Sequence, residues 1–155
     1  MGTAYQGSEE EIRALDCFIK LMRAAESVAE RTNRHIGRAG LTLSQFGVLE
    51  ALFHRGPLCQ KDLGAKILKS SGNITLVIDN LEKRGLVRRE RGTDDRRYIT
   101  VFLTEAGHSL IADIFPRHVA AITKEMGVIT TEEQRELERV CRILGLRKRC
   151  ERSMP

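Results

Sequence analysis

Apolar residues recur every three or four positions from Ile12 to Ile36, through Leu15, Phe18/Ile19, Met22 and Val28, the period of one helix face. Ser8-Glu9-Glu10-Glu11 just before them has the form of a capping box, with carboxylates where the helix dipole favours them. The spacing predicts a helix to about Gly37, roughly seven turns at 3.6 residues per turn. Gly40 breaks the pattern, and Ser44 is placed to cap a second helix with Phe46, Leu49 and Leu52/Phe53 inward, ended by Arg55-Gly56-Pro57. A short helix from Gln60 to Ile67 follows, with Cys59, a poor capping residue, ahead of it. Ser70-Ser71-Gly72 opens a fourth helix that buries Ile74, Val77/Ile78 and Leu81 and closes at Arg84-Gly85.

From Leu86 the period changes to two. Leu86 to Arg91 alternates, Gly92-Thr93-Asp94-Asp95 supplies turn chemistry, and Tyr98 to Leu103 alternates again, which predicts a two-stranded hairpin with a charged tip. Helical spacing resumes at Thr104 with Leu110/Ile111, Ile114/Phe115, Val119, Ile122 and Met126 on one face, and Pro116 predicts a kink. Thr131-Glu132-Glu133-Gln134 reads as another capping box, heading a last helix through Leu137, Val140/Cys141 and Leu144. The tail from Arg147 is basic and predicted to fray.

A chain of 155 residues with 41% hydrophobic and 30% charged residues has the makings of one folded domain, residues 1–155. With 5% aromatics and no Trp, an aromatic platform for single strands or sugars is disfavoured. The longest unbroken apolar run, Val119 to Ile122, is far too short to span a bilayer. The opening MGTAYQGSEEE lacks the basic and apolar regions of a secretory leader, and Cys17, Cys59, Cys141 and Cys150 form no C-x-x-C pair. Reduced thiols in a soluble cytoplasmic protein, with no membrane partner, are therefore expected.

The net charge of +5 is unevenly placed. Residues 1–54 carry 6 basic and 7 acidic side chains and residues 98–155 carry 9 and 8, whereas residues 55–97 carry 11 and 6. That middle block holds the three-helix and hairpin order of a winged helix-turn-helix, which sets its last short helix in the DNA major groove and lets the hairpin reach adjacent backbone or minor groove. A solvated helical face would equally explain the charge alone; the coincidence of charge with topology favours a polyanion footprint.

Leu41-Thr42-Leu43-Ser44-Gln45-Phe46, Lys69-Ser70-Ser71-Gly72-Asn73-Ile74-Thr75, and the run from Ile78 to Val87 follow one another here. After them come Asp95-Arg96-Arg97 at the wing tip and Leu103-Thr104-Glu105-Ala106-Gly107 at its exit. In this order and spacing the chain resembles the MarR (multiple antibiotic resistance regulator) family of transcription regulators. The resemblance implies a mainly α fold: a winged helix-turn-helix lobe, three short helices plus a two-stranded wing, over residues 42–104. Long dimerisation helices over 8–39 and 105–146 would flank it. It also implies a homodimer on a pseudo-palindromic double-stranded operator, acting as a ligand- or oxidant-responsive repressor without a cofactor. Cys59 departs from the Thr or Ser that relatives often carry at that cap.

The DNA-contacting set is then Lys69, Ser70, Ser71, Gly72, Asn73 and Thr75 on the recognition helix, with Arg96 and Arg97 on the wing and Asp95 orienting an arginine. The chemistry agrees: free N–H groups at a helix start favour phosphate, short polar side chains reach base edges, and arginine suits a narrow minor groove. By resemblance, small aromatic effectors would bind between the dimerisation helices and the lobe, for which Phe18, Met22, Phe53 and Phe115 are candidates, each equally at home in plain core. Cys17 resembles in position the sensing cysteine of the organic-peroxide-responsive branch. That branch surrounds its thiol with tyrosines, and Tyr5 and Tyr98 are the only ones in this chain.

Enzyme readings have little support. His35, His54, His108 and His118 show no metal-binding spacing, and no phosphate-cradling loop or nucleophile elbow is present in the sequence. The competing class is a winged-helix module that docks proteins without touching DNA. Steep salt dependence of duplex binding separates the two.

Overall fold

The structure, a computed structural model, describes residues 4–67, 71–92 and 98–146, with Ser71 and Gly72 described in backbone only. Its elements run α1 (Glu9–Arg38), α2 (Leu43–Arg55), β1 (Leu58–Cys59), α3 (Gln60–Lys66), α4 (Ser71–Lys83), β2 (Val87–Arg91), β3 (Ile99–Leu103), α5 (Glu105–Met126) and α6 (Thr131–Gly145). None of the described helices is long and apolar enough to cross a membrane. The order agrees with the predicted winged helix-turn-helix between long helices, with one addition: the wing sheet has three antiparallel strands in the order β1-β3-β2. Leu58 pairs with Val101 and Cys59 with Thr100, on the edge of β3 away from β2. Two residues are too short a strand to leave a period in the sequence.

Local capping chemistry sets the element boundaries. Ser8 and Glu11 form the reciprocal box at the start of α1. The second helix is capped by Thr42, not Ser44: Thr42 Oγ1 accepts from the Gln45 N–H at 3.2 Å while Gln45 Oε1 accepts from the Thr42 N–H at 3.0 Å. Ser44 lies inside the helix because only Thr42 has a Gln three residues on, which completes the box. The last helix shows a similar correction, by one residue from Thr131. Thr130, with Glu133, forms its box, which frees Gln134 to donate to the carbonyls of Met126 and Ile129 and close the α5–α6 turn. Cys59 precedes α3 with no side-chain cap bond, as expected. α5 continues through Pro116 in a single run.

The core lies where the lobe meets the long helices. Ile36 of α1, Phe46, Leu49 and Leu52 of α2, Leu63 of α3, Ile74, Ile78 and Leu81 of α4, Val101 of β3 and Ile111 of α5 are all at least 98% buried. α5 packs along both α1 and α2 and so links the lobe to the long helices. Beyond that joint the apolar face is open. α1 buries only Thr32 and Ile36, α6 buries nothing, and Phe18, Met22, Val119, Ile122, Val140 and Leu144 are exposed.

Candidate nucleic-acid interface

Three anchors set the pose of α4. At its start the Gln60 amide of α3 donates to Thr75 Oγ1 at 2.9 Å, locking the two helices of the helix-turn-helix. At its end Gly85 adopts φ +67°, a left-handed conformation open to glycine at little cost, and the Leu86 N–H closes on the Leu81 carbonyl at 3.0 Å. Beside that end Arg84 Nη1 donates to the Gly40 carbonyl at 2.7 Å, tying α4 to the α1–α2 turn.

With Ile74, Val77, Ile78 and Leu81 turned into the core, the outward stripe of α4 is Asn73, Leu76, Asn80 and Lys83. Asn73 is exposed in the first turn of the helix. Thr75 is half-buried with its hydroxyl engaged by Gln60, so it braces the helix as well as lying near its start. Lys69, Ser70, Asp95, Arg96 and Arg97 lie outside the described residues, as does the side chain of Ser71; the backbone of Ser71 and Gly72 opens α4.

The wing is fixed to α4 by Arg89 on β2. Its Nε and Nη2 donate to Glu82 Oε2 at 3.0 and 2.6 Å, Nη2 reaches Asp79 Oδ1 at 2.6 Å, and its backbone N–H donates to Glu82 Oε1 at 2.9 Å. Hydrogen bonding from Arg89 holds the Glu82 carboxyl below the usual carboxylate value, outweighing burial, which pushes it up. The same bond holds the Arg89 guanidinium above its usual value. Two α4 carboxylates that would repel phosphate are thereby neutralised internally. On the other face of β2, Arg88 stacks 4.3 Å over its cross-strand partner Phe102 and pairs with Glu90. Gly92 N–H donates to the Tyr98 carbonyl at 2.9 Å where the wing loop begins and ends.

Part of the basic block is thus structural. Arg84, Arg88 and Arg89 hold the lobe together, while Lys61, Lys66, Lys83 and Arg91 are exposed. Charge counting could not separate these roles, although the Glu82–Arg89 spacing across the tight Gly85 corner was a usable signal. Leu76 falls outside the apolar period of α4 and stands exposed on its outward stripe.

The candidate effector residues divide into two groups. Phe53 and Phe115 are half-buried with ring centroids 6.4 Å apart, and His54 packs on both while His108 packs on Phe53. Phe18 and Met22 stand exposed on α1, so within one protomer the four do not make one wall. Nearby, His35 of α1, Phe46 of α2 and His118 of α5 pack at the joint, His35–His118 tilted with centroids 5.1 Å apart and Phe46–His118 edge-on at 4.7 Å. Burial, then the charges of His118 and Arg117, holds His35 below the usual histidine value. Cys17 is exposed and lines a groove of about 730 Å³ between α1 and α6, together with Arg13, Asp16, Lys20 and Cys141.

Comparison with known proteins agrees with this architecture. Residues 41–99 match the family model described as MarR family. The HTH-type transcriptional regulator MhqR of Bacillus subtilis (strain 168) is 39% identical over 134 residues, covering 86% of this chain and 92% of the relative. Sco3205, a MarR family transcriptional regulator from Streptomyces coelicolor solved in complex with DNA, superposes with a TM-score of 0.81 at 25% identity, over 91% of this chain and 89% of that one. Bordetella bronchiseptica BpsR, whose DNA binding is regulated by 6-hydroxynicotinic acid, shares the fold with a TM-score of 0.75 at 24% identity, over 83% and 98%. Lobe topology, family model and a 39% identical relative all converge: the chain belongs to the MarR family of helix-turn-helix transcription regulators, which are not enzymes.

Proposed function

We propose that the protein is a homodimeric repressor that binds a pseudo-palindromic double-stranded operator in the cytoplasm and releases it when an effector is sensed. The observation that carries the DNA reading is the outward stripe of α4, Asn73, Leu76, Asn80 and Lys83, held beside a wing whose Arg89 already pairs the α4 carboxylates Asp79 and Glu82. In this reading residues 42–104 form the DNA-binding lobe and residues 8–39 and 105–146 the dimerisation helices. The open apolar faces of α1, α5 and α6 support the second assignment, because a single protomer leaves them to water. Lys69, Ser70, Ser71, Gly72, Asn73 and Thr75 line the major-groove contact, and Arg96 and Arg97, oriented by Asp95, reach the backbone or minor groove. The effector class is a small aromatic acid or phenol, supported by the Phe53–Phe115 cluster at the joint, with Phe18 and Met22 completing its wall from the partner protomer. A thiol route through Cys17 is the second reading, favoured by its exposure beside Lys20 and Arg13.

The experiment is selection of 30-bp duplexes from a random library, followed by fluorescence anisotropy. An inverted repeat with half-sites about 10 bp apart and two chains per duplex is expected. Arg96→Ala and Arg97→Ala should each reduce the salt slope by up to about one unit, while Asn73→Ala relaxes sequence preference. Enrichment of no duplex would overturn the proposal. Release by organic peroxide that disappears in Cys17→Ser would select the thiol route over the ligand route.

A further inference from the structure

We propose that Leu76 is a specificity-determining residue that reads thymine, receiving the 5-methyl group at the major-groove edge of a base pair. The inference rests on the duplex-binding reading above and adds to it which feature of the bases one side chain selects. α4 turns Ile74, Val77, Ile78 and Leu81 inward, yet Leu76 is 60% exposed on the opposite side. It shares with Asn73, Asn80 and Lys83 an arc of about 80° at 100° per residue. Along the axis it sits about 4.5 Å beyond Asn73 and about 6 Å before Asn80, so one to two base steps separate it from either amide.

The chemistry of that stripe is selective. An asparagine amide offers the donor and acceptor that match adenine, whereas a leucine side chain offers neither. Packed on a guanine or cytosine edge it would desolvate base donors and acceptors without replacing their hydrogen bonds. The thymine methyl is the one apolar feature that the major groove displays. Leu76 is also isolated: the other described outward positions of α4 are polar, and one side chain is too small a patch to hold a protein partner. Arg89 occupies Asp79 and Glu82 on the flank of the helix, so among the described residues these two α4 carboxylates are already paired and do not oppose close approach to the groove.

The test uses the full-length protein and a duplex it selects from a random library. Each thymine is replaced in turn by deoxyuridine, which lacks only the methyl group. Affinity should fall about fourfold per half-site at one position, the loss expected for one methyl-sized group removed from apolar contact. In Leu76→Ala that position should become indifferent to the methyl, with the salt slope unchanged. If the parent binds the duplex in a salt-dependent way yet ignores every deoxyuridine, the Leu76 assignment is overturned and duplex binding stands. A penalty that persists in Leu76→Ala also overturns it, since another residue then reads the methyl. Failure to bind any duplex overturns both readings.

Discussion

Replacing Arg89 by Met keeps much of the side chain's length while removing every guanidinium bond to α4. Three contacts are lost, at 3.0, 2.6 and 2.6 Å, and Asp79 and Glu82, one helical turn apart, are left facing each other without a cation. All three side chains are partly exposed, at 25% for Arg89, 35% for Asp79 and 36% for Glu82, so water recovers some of the loss. Charge-assisted hydrogen bonds to partly buried groups then put the cost at about 2 kcal/mol, rather than the larger penalty of a buried pair. For a chain of this size that lowers the melting temperature by roughly 4–8 °C.

The pH dependence carries the sign. Glu82 is held below its usual carboxylate value when folded, so its contribution is complete above the unfolded value and disappears as pH falls through the folded one. Calorimetry at fixed protein concentration should therefore show the full gap between parent and Arg89→Met at pH 7, narrowing below about pH 4.5. Arg89→Lys should fall between, keeping charge but not the two-pronged geometry. A gap under about 0.5 kcal/mol at pH 7, of the size seen for ordinary surface substitutions, would refute the reasoning. So would one that stays constant down to about pH 3.5.

Three further outcomes are expected. Gly107→Ala should destabilise by more than about 2 kcal/mol in urea unfolding, because its Cβ would overlap the Leu86 carbonyl that also accepts from Thr104 at 3.2 Å. His35 is held below its usual value, so on acidification the unfolded chain takes up a proton that the folded one resists; stability should fall from about pH 6.5 downward, and His35→Asn should flatten that loss. Val140→Asp places a charge on the open face of α6 and should convert a dimer into monomers in sedimentation at micromolar concentration, while circular dichroism stays unchanged because α6 buries nothing within one protomer.

The helices of the lobe were legible because their apolar periods face a single core: Ile74, Ile78 and Leu81 are buried as their spacing predicts. The strands β2 and β3 were legible from alternation, but β1 was not, since its two residues pair only because β3 presents a free edge. The caps lie two residues before Ser44, at Thr42, which has a Gln three residues on, and one residue before Thr131, at Thr130, where Thr130–Glu133 and Thr131–Gln134 both fit the motif and Gln134 is instead taken up by the α5–α6 turn. Leu41 to Gly107 carried the family resemblance, yet the division of arginines into anchors and exposed cations depends on contacts across the Gly85 corner that composition does not contain. The open face of α1 lies along the apolar stripe from Ile12 to Ile36, of which only Ile36 is buried.

The most direct test of DNA recognition is the salt dependence of binding to the selected inverted-repeat duplex and to a scrambled duplex of equal length. A groove-bound dimer releases counterions, so log K should fall linearly with log salt at about −0.9 per phosphate contact, near −5 if six contacts form, with the scrambled duplex markedly weaker throughout. A flat profile, or equal affinity for both duplexes, would contradict sequence-specific DNA binding and favour a protein-docking or non-specific role for the winged lobe.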